Sequence, residues 1–551
     1  MPSARLRKLI ERLIGRKPEL APEVAIRAYS GEELLKVGDR SFGESLKDPL
    51  SRFDADELSR RDVLKALLVS AGAFAAGMGV NRILAASGQG RSYITAYTGV
   101  LPPSYIVFLH GGRAYAKCCL PEKAGLIEFQ GTDHASVIQS SIDSLPLAVE
   151  GGRGMIFLKS GAYSLPSPVK PRSYVTLKGE GIFSTFISPS GSNNVIENYD
   201  QVNGNWFITV RDLTIGPATS GNWVGNHGIY FIKVKNSYII NCRIWYLNGK
   251  GIYLSGGWQH RILNCAISLN KEEGVYGDAS VENGVYVVNS VVEQSQTTGN
   301  LRLLGGSAHH IVNSHFEGGA GVPVSLGTYY SRIVNNYIAG PTAGYGIYVA
   351  GPWNEIRGNL VRDTPDTGIV VENAKFSVIF GNIVRNAGAN GIVLTGDSYE
   401  AVVIGNTIEN PNNNGIGLYG ESNKCVIALN ELNGKNIVVA TNYNLIMLNV
   451  NVGMVNDTGS GNIIKHNTGY ITENSGTATI PAGSSYVDVE HGLSIPLDTV
   501  DKLSLLSIIP LDDLGGRNLY PAIHPTDPAT YFRVYISNTD TVDHDFLWRY
   551  G

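Results

Sequence analysis

Glu293 and Glu317 lie 24 residues apart, and His315 stands two positions before the second of them. Two carboxylates brought side by side raise one another's proton affinity, which leaves one as an acid and the other as a base or nucleophile. A separation of about 5 Å is the geometry of a retaining glycosidase. Arg362 and Arg385 fall in the same phase further along. Such arginines hold an acidic sugar's carboxylate by bidentate contacts, and in a β-elimination one of them would serve as the base. The plainer alternative is a charge-balanced surface. A second series, Tyr230, Tyr253 and Tyr276, recurs at steps of 23 residues, with Tyr348 further on and with Trp223, Trp245 and Trp258 in the same stretch. Pyranose rings pack their C–H faces on aromatic rings, so Tyr230, Tyr253, Tyr276 and Trp245, together with Arg362 and Arg385, are expected to bind substrate. The competing expectation is an external aromatic ladder that only stiffens the fold.

Side chains so far apart in sequence meet only if the chain returns to the same place at a fixed period. Gly228, Gly251, Gly274, Gly299, Gly321, Gly346, Gly368, Gly391 and Gly415 mark that return, each followed by an aliphatic residue or close to one, at steps of 22 to 25 residues. A period in this range is one coil of a parallel β-helix, three short strands and three turns to the coil. Asn336, Asn359, Asn382, Asn406 and Asn430 keep the same beat and are expected to stack as a ladder at one inward turn, each amide bonding its neighbours above and below. Cys242, Cys265, Ser290 and Ser314 occupy that column earlier, which makes the two cysteines stacked small side chains rather than a disulfide. Three residues beyond the ladder position come Trp245, Ser268, Glu293, Glu317, Ala339, Arg362, Arg385 and Glu409, an outward column one residue wide.

Upstream, GTDHASVIQSSID (131–143), GGRGMIFLKSGAY (151–163) and YVTLKGEG (174–181) stand in order. With the repeat, these phrases resemble the pectate-lyase-like superfamily that includes rhamnogalacturonases, epimerase-like proteins and many phage tailspikes, whose leading helix and first coils carry phrases of this shape. The resemblance implies an all-β, right-handed, single-stranded parallel β-helix over residues 123–470 with 21 to 25 residues per coil. It identifies architecture far better than reaction. Neither the polygalacturonase phrases nor the D-P-H-D phrase of alginate epimerases is present; His227 lies in N-H-G-I, which resembles one of the former only superficially.

The ends of the chain differ from the repeat. SRRDVLK (59–65), followed by an apolar run of Gly, Ala and aliphatic residues, resembles a twin-arginine export signal, and the run is short for a membrane span. Residues 1–58 read as a polar and basic leader, 59–89 as the signal or a hydrophobic helix, and 90–122 as a lead-in. After residue 470, apolar and polar residues alternate at period 2 with turn signals between them, as expected of a small β-sandwich over 471–551. This stretch resembles the C-terminal modules of extracellular and tail-fibre proteins, which trimerise, cap the solenoid or bind glycans, so a homotrimer is one expectation.

The composition narrows the function class. Forty-four Lys and Arg against 48 Asp and Glu give a net charge of -4, with no basic run interleaved with aromatics, so nucleic acid is excluded as a partner. Five cysteines make neither a disulfide framework nor a zinc spacing, and no acidic calcium cluster of the pectate-lyase kind is evident; no cofactor and no metal are expected. The expected function is that of an exported protein, extracellular or at the cell surface, that meets the twin-arginine machinery on its way out. There it cleaves a polysaccharide, one that contains uronate in the reading given to the arginines, by hydrolysis or β-elimination, with Glu293, Glu317 and His315 as catalytic residues. The alternatives are a phage or provirus tailspike that depolymerises or binds a receptor glycan, and a non-catalytic glycan-binding adhesin.

Overall fold

The computed structural model describes residues 103–550 except 149, 150 and 153. The twin-arginine stretch and the leader before it lie outside the described residues. The rest is a parallel β-solenoid closed at its far end by a small antiparallel module.

Each coil contributes one strand to each of three sheets. The first sheet runs from Gly154–Leu158 to Ile463–Lys465, the second from Ile196–Glu197 to Val455–Asp457, and the third from Gly161–Leu165 to Thr407–Glu409. Strands of two to six residues suffice because every second side chain points inward and meets its counterparts from the coils above and below. In Ile229–Ile232, Ile229 and Phe231 are fully buried while Tyr230 and Ile232 face outward. The register stacks Ile229, Ile252 and Val275 in one column. Each such aliphatic side chain contributes about 2 kcal/mol on burial, and the columns together form one continuous core.

The corners are set by backbone conformation. The residue before each ladder position is left-handed, with φ between 51° and 56° at Asn241, Asn264, Asn289, Asn313 and Asn335 and between 62° and 65° at Gly358, Gly381 and Gly405. Asn and Gly take that conformation at little cost, which explains the run of these two residues at one place, although Leu429, Leu448 and His466 adopt it before the last three ladder positions. At the corner before the second sheet a side chain has no room: a Cβ on Gly251 would stand 2.6 Å from the carbonyl oxygen of Gly274.

The asparagine ladder forms as the spacing predicts and continues beyond it. Asn336 Nδ2 donates to Asn359 Oδ1 at 3.0 Å, and the chain of amides runs through Asn382, Asn406 and Asn430 to Asn449 and Asn467. The last two steps are 19 and 18 residues, shorter than the 21 to 25 expected. The reason is that the third strand shrinks there to isolated bridges, Thr407 with Glu431 and Glu431 with Val450. Cys242, Cys265, Ser290 and Ser314 do hold the earlier part of the column, and both cysteines are buried and form no disulfide. A second interior column stands after the second sheet, where His309, Ser331 and Asn354 each accept from a backbone N–H one coil below.

Three antiparallel strands, Tyr105–His110, Arg113–Cys118 and Ile127–Gly131, precede the coils, and the first of them pairs in parallel with Gly154–Leu158. The helix His134–Asp143 follows; Asp133 caps it by accepting from the Ser136 N–H at 3.1 Å, and His134, Val137, Ile138, Ser141 and Ile142 face the core. It is the leading helix that the 131–143 phrase predicts. At the other end, two three-stranded antiparallel sheets enclose Phe532, Val534, Phe546 and Trp548, the small sandwich expected from the period-2 pattern. Ile495 packs on both cores, and Ser494 and Ile471 exchange hydrogen bonds of 2.7 and 2.8 Å.

Candidate functional site

The second sheet brings Tyr230, Tyr253 and Tyr276 into direct register on its outer face. Their ring centroids are 4.9 and 5.4 Å apart with interplanar angles of 27° and 35°. Rings stacked in this way cover one another's faces. His227 packs beside both of the first two rings, 5.6 Å from Tyr230 and 5.4 Å from Tyr253, and the ammonium of Lys250 lies 4.7 Å over Tyr276. The faces that would receive a sugar ring are therefore largely occupied. What the column offers outward is a row of ring edges and phenol hydroxyls about one coil apart, which corrects the picture of an open stacking platform.

Charged groups surround the row. Lys250 bonds Glu272 and lies 3.1 Å from Glu273, a carboxylate only 3 % exposed that also has Arg302 at 3.9 Å. Burial would pull the Lys250 ammonium down, but the two carboxylates outweigh it and hold it above its ordinary range. His227 Nδ1 accepts from the backbone N–H of Lys250 at 2.9 Å, so the neutral ring carries its proton on Nε2. Burial and the nearby Lys250 charge push this imidazole down to about 4. At neutral pH it is an uncharged donor. Tyr253 donates to Asp278 at 3.2 Å, and burial with that carboxylate pushes its phenol up to about 12.

The strand Ile252–Ser255 leads directly from Tyr253 to a shallow cleft lined by Asn203, Lys233, Lys235, Ser255, Ser280 and Glu282. Lys235 is held 4.6 Å from both the Trp206 and Trp258 rings, and Trp206 is itself 37 % exposed. On the opposite side of the row Trp223, equally exposed, lies beneath Lys271 at 5.5 Å. The result is a strip across the early coils with aromatic edges, hydroxyls and lysines, suited to the alternating apolar and hydroxylated faces of a sugar chain.

The outward column on the third sheet has the predicted register: Trp245, Ser268, Glu293, Glu317, Ala339, Arg362, Arg385 and Glu409 pair in succession. Its members differ in availability. Trp245 is only 6 % exposed because Arg243 lies 3.3 Å over its ring and its Nε1 donates to the Pro217 carbonyl, so it presents no face to a ligand. Arg362 bonds Asp363 and Arg385 bonds Glu409 at 2.7 Å, so the pair expected to clamp a carboxylate is already engaged. Glu293 and Glu317 stand on adjacent coils, and His315 Nε2 reaches Glu317 Oε2 at 2.8 Å. They lie side by side on a sheet face that is separate from the tyrosine row.

The sequence assigns no role to several participants, among them His227, Lys250, Glu273 and Asp278. A signal existed for the first, since His227 immediately precedes the first Gly of the repeat; Lys250 precedes the next one, and Glu273 the one after.

Comparison with known proteins places this architecture. Residues 300–468 match the family described as right handed beta helix region, and residues 180–300 match the family described as periplasmic copper-binding protein (NosD). The chain is a right-handed parallel β-helix protein. Among solved structures it is similar to the A-module of a mannuronan C-5 epimerase from Azotobacter vinelandii, at 17 % identity and a TM-score of 0.41 over 61 % of this chain and 95 % of that one. It is also similar to a tailspike protein of an E. coli bacteriophage, at 11 % identity and a TM-score of 0.42 over 78 % and 92 % of the two chains. A third is the catalytic unit of an α-1,3-glucanase from Streptomyces thermodiastaticus, at 14 % identity and a TM-score of 0.38 over 60 % and 66 %. No curated protein sequence matches the chain.

Proposed function

We propose that the protein acts on an extracellular polysaccharide, with the sugar chain lying across the early coils on the outer face of the second sheet. The observation that carries this reading is the continuous strip from Trp223 through the His227, Tyr230, Tyr253 and Tyr276 row to the cleft at Lys233 and Lys235. Action outside the cytoplasm belongs to the same reading, in keeping with the likeness of residues 180–300 to a family described as periplasmic. The reaction is cleavage, by hydrolysis or by β-elimination. In a β-elimination Lys250 and Arg302, which now face Glu273, would have to exchange it for a uronate carboxylate. For hydrolysis the Glu293 and Glu317 pair, on the neighbouring sheet, is the second place where acid–base chemistry is available.

The deciding experiment is product formation by the chain from a panel of acidic and neutral polysaccharides, read both as new reducing ends and as absorbance of unsaturated uronate. Unsaturated product, abolished in Lys250→Met, would support elimination on the second sheet. Reducing ends without unsaturation, lost in Glu293→Gln or Glu317→Gln, would support hydrolysis on the third. Binding without turnover by folded protein would overturn cleavage and leave the adhesin or receptor-binding reading.

A further inference from the structure

The three polar side chains Glu293, His315 and Glu317 converge in a way that neither the sugar strip nor the surface charge balance explains. Their ligand atoms, one from each residue, all lie within 4.8 Å of one another. The arrangement follows from the strands: His315 and Glu317 are two apart on one strand and so share its outer face, and Glu293 is the in-register neighbour of Glu317 on the coil below. The imidazole is fixed from behind by stacking on Tyr337, with ring centroids 4.6 Å apart at 27°.

Charge supplies an independent observation. Some carboxylates elsewhere on the coil faces have cationic partners, Glu409 with Arg385 at 2.7 Å and Glu355 with Arg332 at 3.2 Å, and others bond hydroxyls, Asp278 with Tyr253 at 3.2 Å. Among the described residues no lysine or arginine stands within ion-pair distance of Glu293 or Glu317; Arg362 acts on Glu317 only through its charge, and the ion-pair partner in contact is His315. Two carboxylates on adjacent coils repel, and that repulsion is removed by a cation held between them.

We propose that Glu293, His315 and Glu317 form a binding site for one divalent transition ion of the zinc or copper(II) class. One imidazole nitrogen and two carboxylate oxygens are ligands that these ions accept, and three protein ligands leave a position for water or a substrate oxygen. A tetrahedral ion needs its ligand atoms about 3.4 Å apart, so rotations of the half-buried Glu293 and the exposed Glu317 side chains close the set. Calcium, which takes six to eight oxygens, is not served by it. The site stands on the third sheet and does not depend on the second sheet's binding a sugar; with an ion bound, Glu293 and Glu317 are ligands in place of the acid–base pair of the hydrolysis reading.

Calorimetric titration of the full chain, stripped with chelator, tests it with Zn2+, Cu2+ and Ca2+ in turn. Saturable binding of one Zn2+ or Cu2+ per chain is expected, weakened at least ten-fold in Glu293→Gln and in His315→Ala, with no comparable uptake of Ca2+. The melting temperature of the parent chain is expected to rise with the ion and that of the variants to stay put. Should His315→Ala not fold, Glu293→Gln and Glu317→Gln, which keep side-chain shape, decide in its place. Absence of saturable binding, or binding unchanged in folded variants, overturns the proposal, whatever the sugar assays give.

Discussion

At the scale of single residues the tyrosine row makes the sharpest test. If the phenol hydroxyls and not the ring faces contact the sugar, Tyr253→Phe keeps the stack and removes one hydrogen-bonding group in contact with Asp278. Affinity for an oligosaccharide ligand should then drop about five-fold, the equivalent of about 1 kcal/mol, with the melting temperature nearly unchanged. A stacking platform would predict no loss. The histidines carry a second expectation. His227, His260, His309 and His310 are each pushed down to about 4, chiefly by burial. Their folded values lie below the unfolded one, so the unfolded chain binds more protons between those limits, and stability is lost as pH falls from about 6.5 towards 4. Thermal unfolding followed across that window should show a steady decline that begins before the carboxylates titrate. The positions of Tyr230, Tyr253 and Tyr276 were legible because a 23-residue step is a direct count of coil length. The use of their faces was not, since ring orientation depends on side-chain contacts whose geometry the period does not encode.

At the scale of elements, stability is concentrated at the corners. Asn382 is fully buried, donates to Asn406 Oδ1 at 2.9 Å and to the Ile356 carbonyl at 2.9 Å, and accepts from Asn359. Asn382→Ala strands a carbonyl and an amide of the neighbouring coils in a place water does not reach, and a loss of about 3 kcal/mol is expected in a urea titration. The ladder could be read from sequence because one residue type repeats on one beat. The companion column could not: His309, Ser331, Asn354 and Ser377 perform one task with three kinds of side chain, so no single residue type keeps the beat. The short final coils were missed for a related reason. The count was tuned to three full strands, and Glu431 and Val450 keep only single bridges where a strand had been.

At the scale of the whole molecule the chain is a stack in which each coil is finished by the next, and that has a consequence for its two ends. A parallel ladder never saturates by itself: the outermost coil always presents a row of unsatisfied backbone groups, the same surface on which the next coil would grow. In this chain the leading strands and the helix His134–Asp143 occupy one end. The C-terminal module seats Ile495 on the core at the other, and Thr472 bonds the Ile464 carbonyl of the last coil at 2.9 Å. A chain ending at residue 470 is therefore expected to self-associate end to end, seen as concentration-dependent growth of elongated particles in light scattering, while the whole chain stays at a fixed size. The module would then act as a stopper on a template, setting the length of an object that would otherwise recruit copies of itself.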